Sequence, residues 1–280
     1  MGTEKTDTHA PAAHYDHVHR AWELIMGAQF HYGFFDKPDR PLEQATETLT
    51  RCMLDRAAVG VGDRVLDVGC GTGRQSCDLA AAFDASVLGI TTSSSGVTAA
   101  TALAAARGLS GAIFEQRDGT ANGLDDGSFD VVWVLESSHL MRDKEALLRE
   151  CVRVLAPEGR LVLCDIIRKR DIPFLEVRDR REDFALLRRA FGDAHMEPLG
   201  GYTTTLDRLG LTITDSTDIS LPTLPTFAAW RANVDQHVDS LRQLMADEGV
   251  HDFVESTHVL EAFWKDETLG YGILAATKQA

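Results

Sequence analysis

The chain is short of positive charge. Its 28 lysines and arginines face 43 aspartates and glutamates, and the formal net charge of −15 argues against nucleic acid as a partner, because that partner needs clustered cations. The one stretch richer in basic residues, Arg168 to Arg189, interleaves Asp171, Glu176, Asp179, Glu182 and Asp183, as a solvated helix face does. Long apolar runs are missing as well. No segment of about 18 apolar residues is available to span a membrane, and the first residues show no stretch resembling a signal peptide. A cytoplasmic protein with no membrane partner is the expectation. Cysteine pairing is also absent. Cys52, Cys70, Cys77, Cys151 and Cys164 are odd in number and lack paired-ligand spacing, which reads as reduced, packed thiols. His14, His17 and His19 cluster near the start, but no acidic or thiol ligand completes a set, so no metal is expected. No repeat, low-complexity tract or linker divides the 280 residues, and 44% hydrophobic content fills a substantial core. One α/β domain with an attached cap fits best.

The chain is organised around Val65-Leu66-Asp67-Val68-Gly69-Cys70-Gly71-Thr72-Gly73-Arg74-Gln75-Ser76, which reads as a buried strand, a glycine turn and the start of a helix over about Ser76 to Ala82. Glycines let the backbone turn sharply and approach a ligand. The free N–H groups of the helix's first turn favour a carboxylate or phosphate at the same spot. A dinucleotide fingerprint does not fit. Arg74 stands where G-x-G-x-x-G requires its third glycine, and the next strand, Ser86 to Ile90, leads into Thr91, Thr92 and Ser93 where a ribose-binding carboxylate is required. A nicotinamide-dependent oxidoreductase is disfavoured accordingly.

Asp67-Val68-Gly69-Cys70-Gly71-Thr72-Gly73 resembles motif I of the class I methyltransferases that use S-adenosylmethionine. Gly89-Ile90-Thr91-Thr92-Ser93 resembles the variant second motif of small-molecule enzymes related to the sugar, sarcosine and tocopherol methyltransferases. A third stretch, Gln29-Phe30-His31-Tyr32-Gly33-Phe34-Phe35-Asp36, is similar to an aromatic-His-aromatic-Gly segment of that family. The resemblance implies a Rossmann-like α/β fold with a seven-stranded sheet of order 3-2-1-4-5-7-6, strand 7 antiparallel. It implies S-adenosyl-L-methionine as cofactor, S-adenosyl-L-homocysteine as product and a small-molecule acceptor from specialised metabolism. Gly69, Gly71, Thr91, Thr92 and Leu135 then belong to the cofactor site, with Tyr15, Phe30 and His31 as lid contacts. Singly, these three read equally as an aromatic cluster anchoring the first helix. Asp118 is implied as the acceptor for the adenine amino group, with Gly119 admitting the ring.

Along the chain, residues 1–13 read as a disordered tail, 14–59 as a helical lid, 60–167 as the cofactor-binding core, 168–270 as a cap with the sixth strand, and 271–280 as the last strand. Val18, Trp22, Ile25 and Met26 predict a helix over Tyr15 to Met26. A second helix runs from Pro41 to Val59, before the stop signal of Gly60 and Gly62. Further on come a helix over Val97 to Arg107, strands over Ile113 to Arg117 and Phe129 to Leu135, and a helix over Lys144 to Leu155. The fifth strand spans Arg160 to Cys164, with Asp165 following it. Phe184, Leu187 and Phe191 mark a helix, Phe191 to Tyr202 a loop, and Leu211 to Ser220 and Tyr271 to Lys278 the last strands. Phe227, Trp230, Val234, Val238, Leu241 and Met245 form one stripe, and Phe253, Leu260 and Trp264 another. These helices either cap the site or make a homodimer contact.

Methyl transfer is an in-line displacement that asks the protein mainly to align the partners and exclude water. A hydroxyl acceptor also needs a base, and His139 suits the role. Sugar-methylating relatives carry Glu-Ser-x-His-His-Met here and an aspartate at the next strand. His139 matches the first histidine and Asp165 the aspartate, while Leu140 replaces the second. The bland alternative has His139 capping the next helix and Asp165 bonding backbone amides. His195, Glu197 and Tyr202 are the expected acceptor-facing residues, Glu197 for a cationic or hydrogen-donating group. Methylation at oxygen or nitrogen is the primary reading. Carbon methylation of an electron-rich ring such as an indole is the alternative, and a non-methylating protein on the same fold is a third.

Overall fold

The computed structural model describes residues 21–37, 39–244 and 246–280. The expected tail, Tyr15 and the histidines at 14, 17 and 19 lie outside them, as does Met245. Residues 21–26 are helical (α1), with Trp22, Ile25 and Met26 buried. Then come α2 (Leu42–Ala57), β1 (Arg64–Val68), α3 (Arg74–Phe83), β2 (Ser86–Thr91), α4 (Ser94–Ala106), β3 (Ala112–Gln116), β4 (Phe129–Leu135), α5 (Lys144–Val154) and β5 (Leu155–Arg168). The remainder is α6 (Phe174–Asp179), α7 (Arg181–Phe191), α8 (Leu199–Arg208), β6 (Leu211–Asp218), α9 (Ser220–Thr223), α10 (Thr226–Leu244), α11 (Asp247–Lys265) and β7 (Leu269–Lys278).

One sheet of order β3-β2-β1-β4-β5-β7-β6 holds all seven strands. The first five lie parallel and β7 runs antiparallel to both β5 and β6, so the fold is the one the resemblance implies. Val131 to Val134 are wholly buried, as an apolar run in a strand covered on both faces should be. Because β1 to β4 point the same way, the turns after them converge at one edge, where ligands of such sheets bind.

Local chemistry explains most boundaries. Ser93 caps α4 by accepting from Gly96 N–H at 2.9 Å, so that helix starts at Ser94, ahead of the expected Val97. Asp143 caps α5 through Ala146 N–H at 2.8 Å. Asp165 does not follow β5 but lies within it, because pairing with β7 (Asp165↔Gly272, Arg168↔Leu269) extends the strand to Arg168. The expected loop from Phe191 to Tyr202 is a loop only as far as Pro198. Tyr202 sits inside α8 and is fully buried. The glycine pair that suggested a loop occupies the first turn of that helix, and a Cβ on Gly201 would stand 2.4 Å from the Glu197 carboxylate.

Leu260 and Trp264 of α11 and Trp230 of α10 are buried, and α10 is kinked at His237 (φ −113°, ψ 16°). The basic stretch forms α6 and α7, neither with a buried residue. It is laced by ion pairs such as Arg170–Glu176 at 2.6 Å and Arg180–Asp266 at 2.8 Å. All five cysteines are free thiols. Among the described residues no helix is long and apolar enough to cross a membrane, and no group of three His, Cys, Asp or Glu is placed to hold a metal ion.

Candidate active site

The turn after β1 gives each glycine a different task. Gly69 has φ +83°, and a Cβ there would fall 2.2 Å from the Cβ of Ser137, at the end of β4. Gly73 has φ +78°, and its Cβ would meet Ala100 at 2.5 Å and the Phe114 ring. Both let neighbouring elements close up. Gly71 has φ +55° with nothing within 4 Å of the Cβ position, so it faces open space. The N–H groups of Gly69 and Cys70 go to Ile90 O at 2.8 and 3.0 Å, and that of Gly73 goes to Cys70 O. Those of Gly71 and Thr72 are left for a ligand among the described residues, as an anion-binding turn requires.

This turn opens on a cavity of about 760 Å³. Of the expected cofactor residues, Phe30 and His31 line it from the N-terminal segment, Gly69 and Gly71 from the turn, and Thr91 and Thr92 from the end of β2. Asp118, Gly119 and Leu135 complete it from the ends of β3 and β4. Asp118 Oδ1 accepts from the N–H and hydroxyl of Thr120 at 2.8 and 2.7 Å, which leaves Oδ2 as its acceptor for a ligand. The missing side chain of Gly119 makes room for Val68 and Met141, 2.8 and 3.1 Å from a Cβ built there. His31 is buried and neutral, its pKa lowered to about 4 by burial against the pull of its hydrogen bond to the Tyr32 carbonyl. Its other ring nitrogen joins a cluster with Gln29, Thr50 and Gln75. Gln75 Oε1 is buried without a partner among the described residues, in a side chain that lines the cavity. An orphan acceptor, two free N–H groups and a carboxylate oxygen fit a polar, nucleoside-bearing ligand.

A second cavity of about 250 Å³ adjoins the first. Its walls are mainly apolar: Trp22 and Met26 from α1, Leu187 and Phe191 from α7, Trp230 from α10 and Leu260 from α11. Phe30 and Glu136 line both cavities and form the partition. His139 reaches the second cavity from a short 3₁₀ turn, Ser138–Leu140. Its Nδ1 lies 2.6 Å from Asp165 Oδ1, its backbone N–H donates to Asp165 Oδ2 at 3.0 Å, and the Ser138 hydroxyl donates to the same oxygen at 2.5 Å. Burial pulls the Asp165 carboxyl up, but the charge of His139 and these hydrogen bonds outweigh it and hold the group below the usual range. A charged Asp165 keeps a proton on Nδ1 and leaves Nε2 as the basic nitrogen. Asp165 thus bonds a backbone amide and orients the imidazole at the same time.

The three expected acceptor residues line neither cavity. His195 donates its N–H to the His139 carbonyl at 2.6 Å and turns its ring toward Asp193 at 3.5 Å. Glu197 accepts at its carbonyl from Arg168 N–H, and its side chain lies against Gly201. The Tyr202 hydroxyl lies 2.8 Å from Ser138 Oγ. They stand behind His139 because α8 turns Tyr202 inward, and the wall of the second cavity comes instead from α1, α7, α10 and α11. Glu136 was passed over. A charged residue directly after the apolar run of β4 is its trace in the sequence, and it adopts φ +46°.

Residues 66–163 match the Methyltransferase domain family. Over 272 residues, covering 94% of this chain and 95% of the relative, the protein is 31% identical to the 27-O-demethylrifamycin SV methyltransferase of Amycolatopsis mediterranei (strain S699). Among solved structures it resembles the [4+2]-cyclase SpnF, at 25% identity, 96% coverage of both chains and a TM-score of 0.80. It also shares the fold of the mycolic acid cyclopropane synthase CmaA1 complexed with SAH, at 16% identity, 98% and 99% coverage and a TM-score of 0.86. With the glycine turn, the converging strand ends and a methyltransferase relative matched along nearly its whole length, the chain belongs to the S-adenosylmethionine-dependent methyltransferases that act on small molecules.

Proposed function

We propose that the enzyme methylates a hydroxyl oxygen of a largely apolar specialised metabolite, with His139 as the base. The observation that carries this reading is the Asp165-oriented imidazole of His139 on the wall of an apolar cavity that meets the cofactor cavity. S-adenosylmethionine supplies a methyl group already activated as a sulfonium. The protein's part is to align the acceptor oxygen, exclude water and take its proton at His139 Nε2 as the new bond forms. The O-methylation named in the rifamycin relative supports the oxygen assignment.

In this reading the Gly71 and Thr72 N–H groups and Gln75 hold the amino-acid end of the cofactor, and Asp118 Oδ2 accepts from the adenine amino group. Residues 168–270 act as the cap that supplies the acceptor wall. The five free thiols suit a reducing compartment, which supports a cytoplasmic enzyme. The test is incubation with methyl-labelled S-adenosylmethionine and a panel of apolar phenols and alcohols, with the label located by NMR. Label on oxygen supports the proposal. Label on ring carbon, with hydroxyl-blocked acceptors still accepted, overturns it in favour of carbon methylation.

A further inference from the structure

On the function proposed above, with the acceptor in the second cavity, Glu136 stands where the methyl group has to pass. It and Phe30 line both cavities, so a group carried from one cavity to the other crosses beside them. The positive charge of the cofactor lies on the sulfur that holds that methyl, and Glu136 is the ionisable member of the partition. Its carboxyl is held firmly on one side only. Oε1 accepts from the Tyr271 hydroxyl and, at 2.7 Å, from Tyr32 N–H, and no donor among the described residues reaches Oε2.

Burial raises the Glu136 carboxyl to about 8, against the lowering effect of the hydrogen bonds from Tyr271 and Tyr32 and with a small push from Asp165. Near neutral pH the free protein therefore carries a proton there. The groups that face it are Tyr32 from the N-terminal segment, Cys164 and Asp165 from β5, Tyr271 from β7 and His139 across the second cavity. Burial keeps Tyr32, Tyr271 and Cys164 protonated, and Asp165 is already paired with His139. Glu136 is the one of these poised to change state when a cation arrives.

We infer that Glu136 distinguishes the sulfonium of the cofactor from the thioether of the product. Its carboxyl gives a proton to solvent as S-adenosylmethionine binds and recovers one once the methyl has left. A cation within a few ångströms favours a carboxylate by roughly one to three pKa units, whereas a neutral sulfur offers no such pull. The sign follows directly. Below the free enzyme's pKa the carboxyl must be ionised at a cost, so preference for the charged ligand over the neutral one rises with pH, by up to about tenfold per unit. Once the carboxyl is ionised in the free protein the preference levels off. Asp67, also raised by burial to about 6, lines the first cavity but not the second and is held by the Ser76 hydroxyl at 2.6 Å, so it stands away from the boundary at which the two ligands differ.

The experiment is titration calorimetry of the full chain with S-adenosylmethionine and, separately, S-adenosylhomocysteine, in phosphate and in Tris. The two buffers differ in ionisation heat, and the comparison counts protons released. At about pH 7 the expected result is roughly half to one proton more released by the sulfonium ligand, with the difference gone by about pH 9.5. In Glu136→Gln the extra proton disappears and preference for S-adenosylmethionine falls about tenfold or more, while S-adenosylhomocysteine affinity stays within about twofold. Glutamine still accepts from Tyr271 and Tyr32, so a merely structural Glu136 predicts an unchanged preference, and that result overturns the inference. Equal proton counts for both ligands in the native protein overturn it as well, whatever the variant's folding. If neither ligand binds, the failure lies with the cofactor site and not with Glu136.

Discussion

The first cavity is walled largely by strand ends and the turns beyond them and closed by Phe30 and His31, whereas the second, the proposed acceptor cavity, is walled by side chains of α1, α7, α10 and α11, drawn from both ends of the chain. The first rests on backbone sterics, in which a single added carbon collides with the next element. The second rests on packing that many apolar side chains would satisfy. Added side chains therefore collide at Gly69 and Gly73 in the first cavity's turn, whereas the apolar side chains of the second can be exchanged without touching that turn.

Substitution can test the contrast. The largest effect is expected at the imidazole on the second cavity's wall: His139→Ala should cut kcat by about 10²- to 10⁴-fold while calorimetric affinity for S-adenosylmethionine stays within about twofold. A kcat within about tenfold of the native value would remove the base from the mechanism. Next, Gly69→Ala forces a side chain onto a left-handed backbone and into Ser137, at an expected cost of roughly 2–5 kcal/mol in denaturant unfolding. Gly71→Ala has room and should cost only about 1–2 kcal/mol, its main loss being in cofactor affinity. Equal destabilisation by the two would show that the turn is not pinned by its neighbours. The smallest effect is expected on the acceptor wall. Leu187→Ala should raise acceptor KM by about three- to tenfold and leave cofactor affinity and kcat nearly unchanged.

The same contrast governs what could be read in advance. The glycine turn, the hydroxyls after β2 and the acid after β3 are short segments whose spacing alone places them, and every described cofactor residue expected from them lines the first cavity. His139 and Asp165 were also legible, because each lies next to an unmistakable apolar strand. The reach of β5 to Arg168 was not, since it depends on pairing with β7 about a hundred residues later. Gly200 and Gly201 pointed to a loop by local propensity, and packing of Tyr202 and Leu206 into the core overrode them. That helix, α8, is also why His195, Glu197 and Tyr202 line neither cavity. Glu136 leaves only a charge after the apolar run of β4 as its local sign, because its place comes from the meeting of two cavities.

The contact between Tyr202 and Ser138 determines the sense in which a row of hydrogen bonds runs. Ser138 has one hydroxyl hydrogen and spends it on Asp165, so at 2.8 Å from Tyr202 it can only receive, and the tyrosine must give. Every hydrogen then points inward to the aspartate, from the phenol through the serine on one side and from the imidazole on the other. Tyr202→Phe would leave the serine oxygen without that donor and the aspartate with less support for its charge. The tautomer of His139 is thus set in part from a helix 63 residues further along the chain, by a side chain that lines neither cavity.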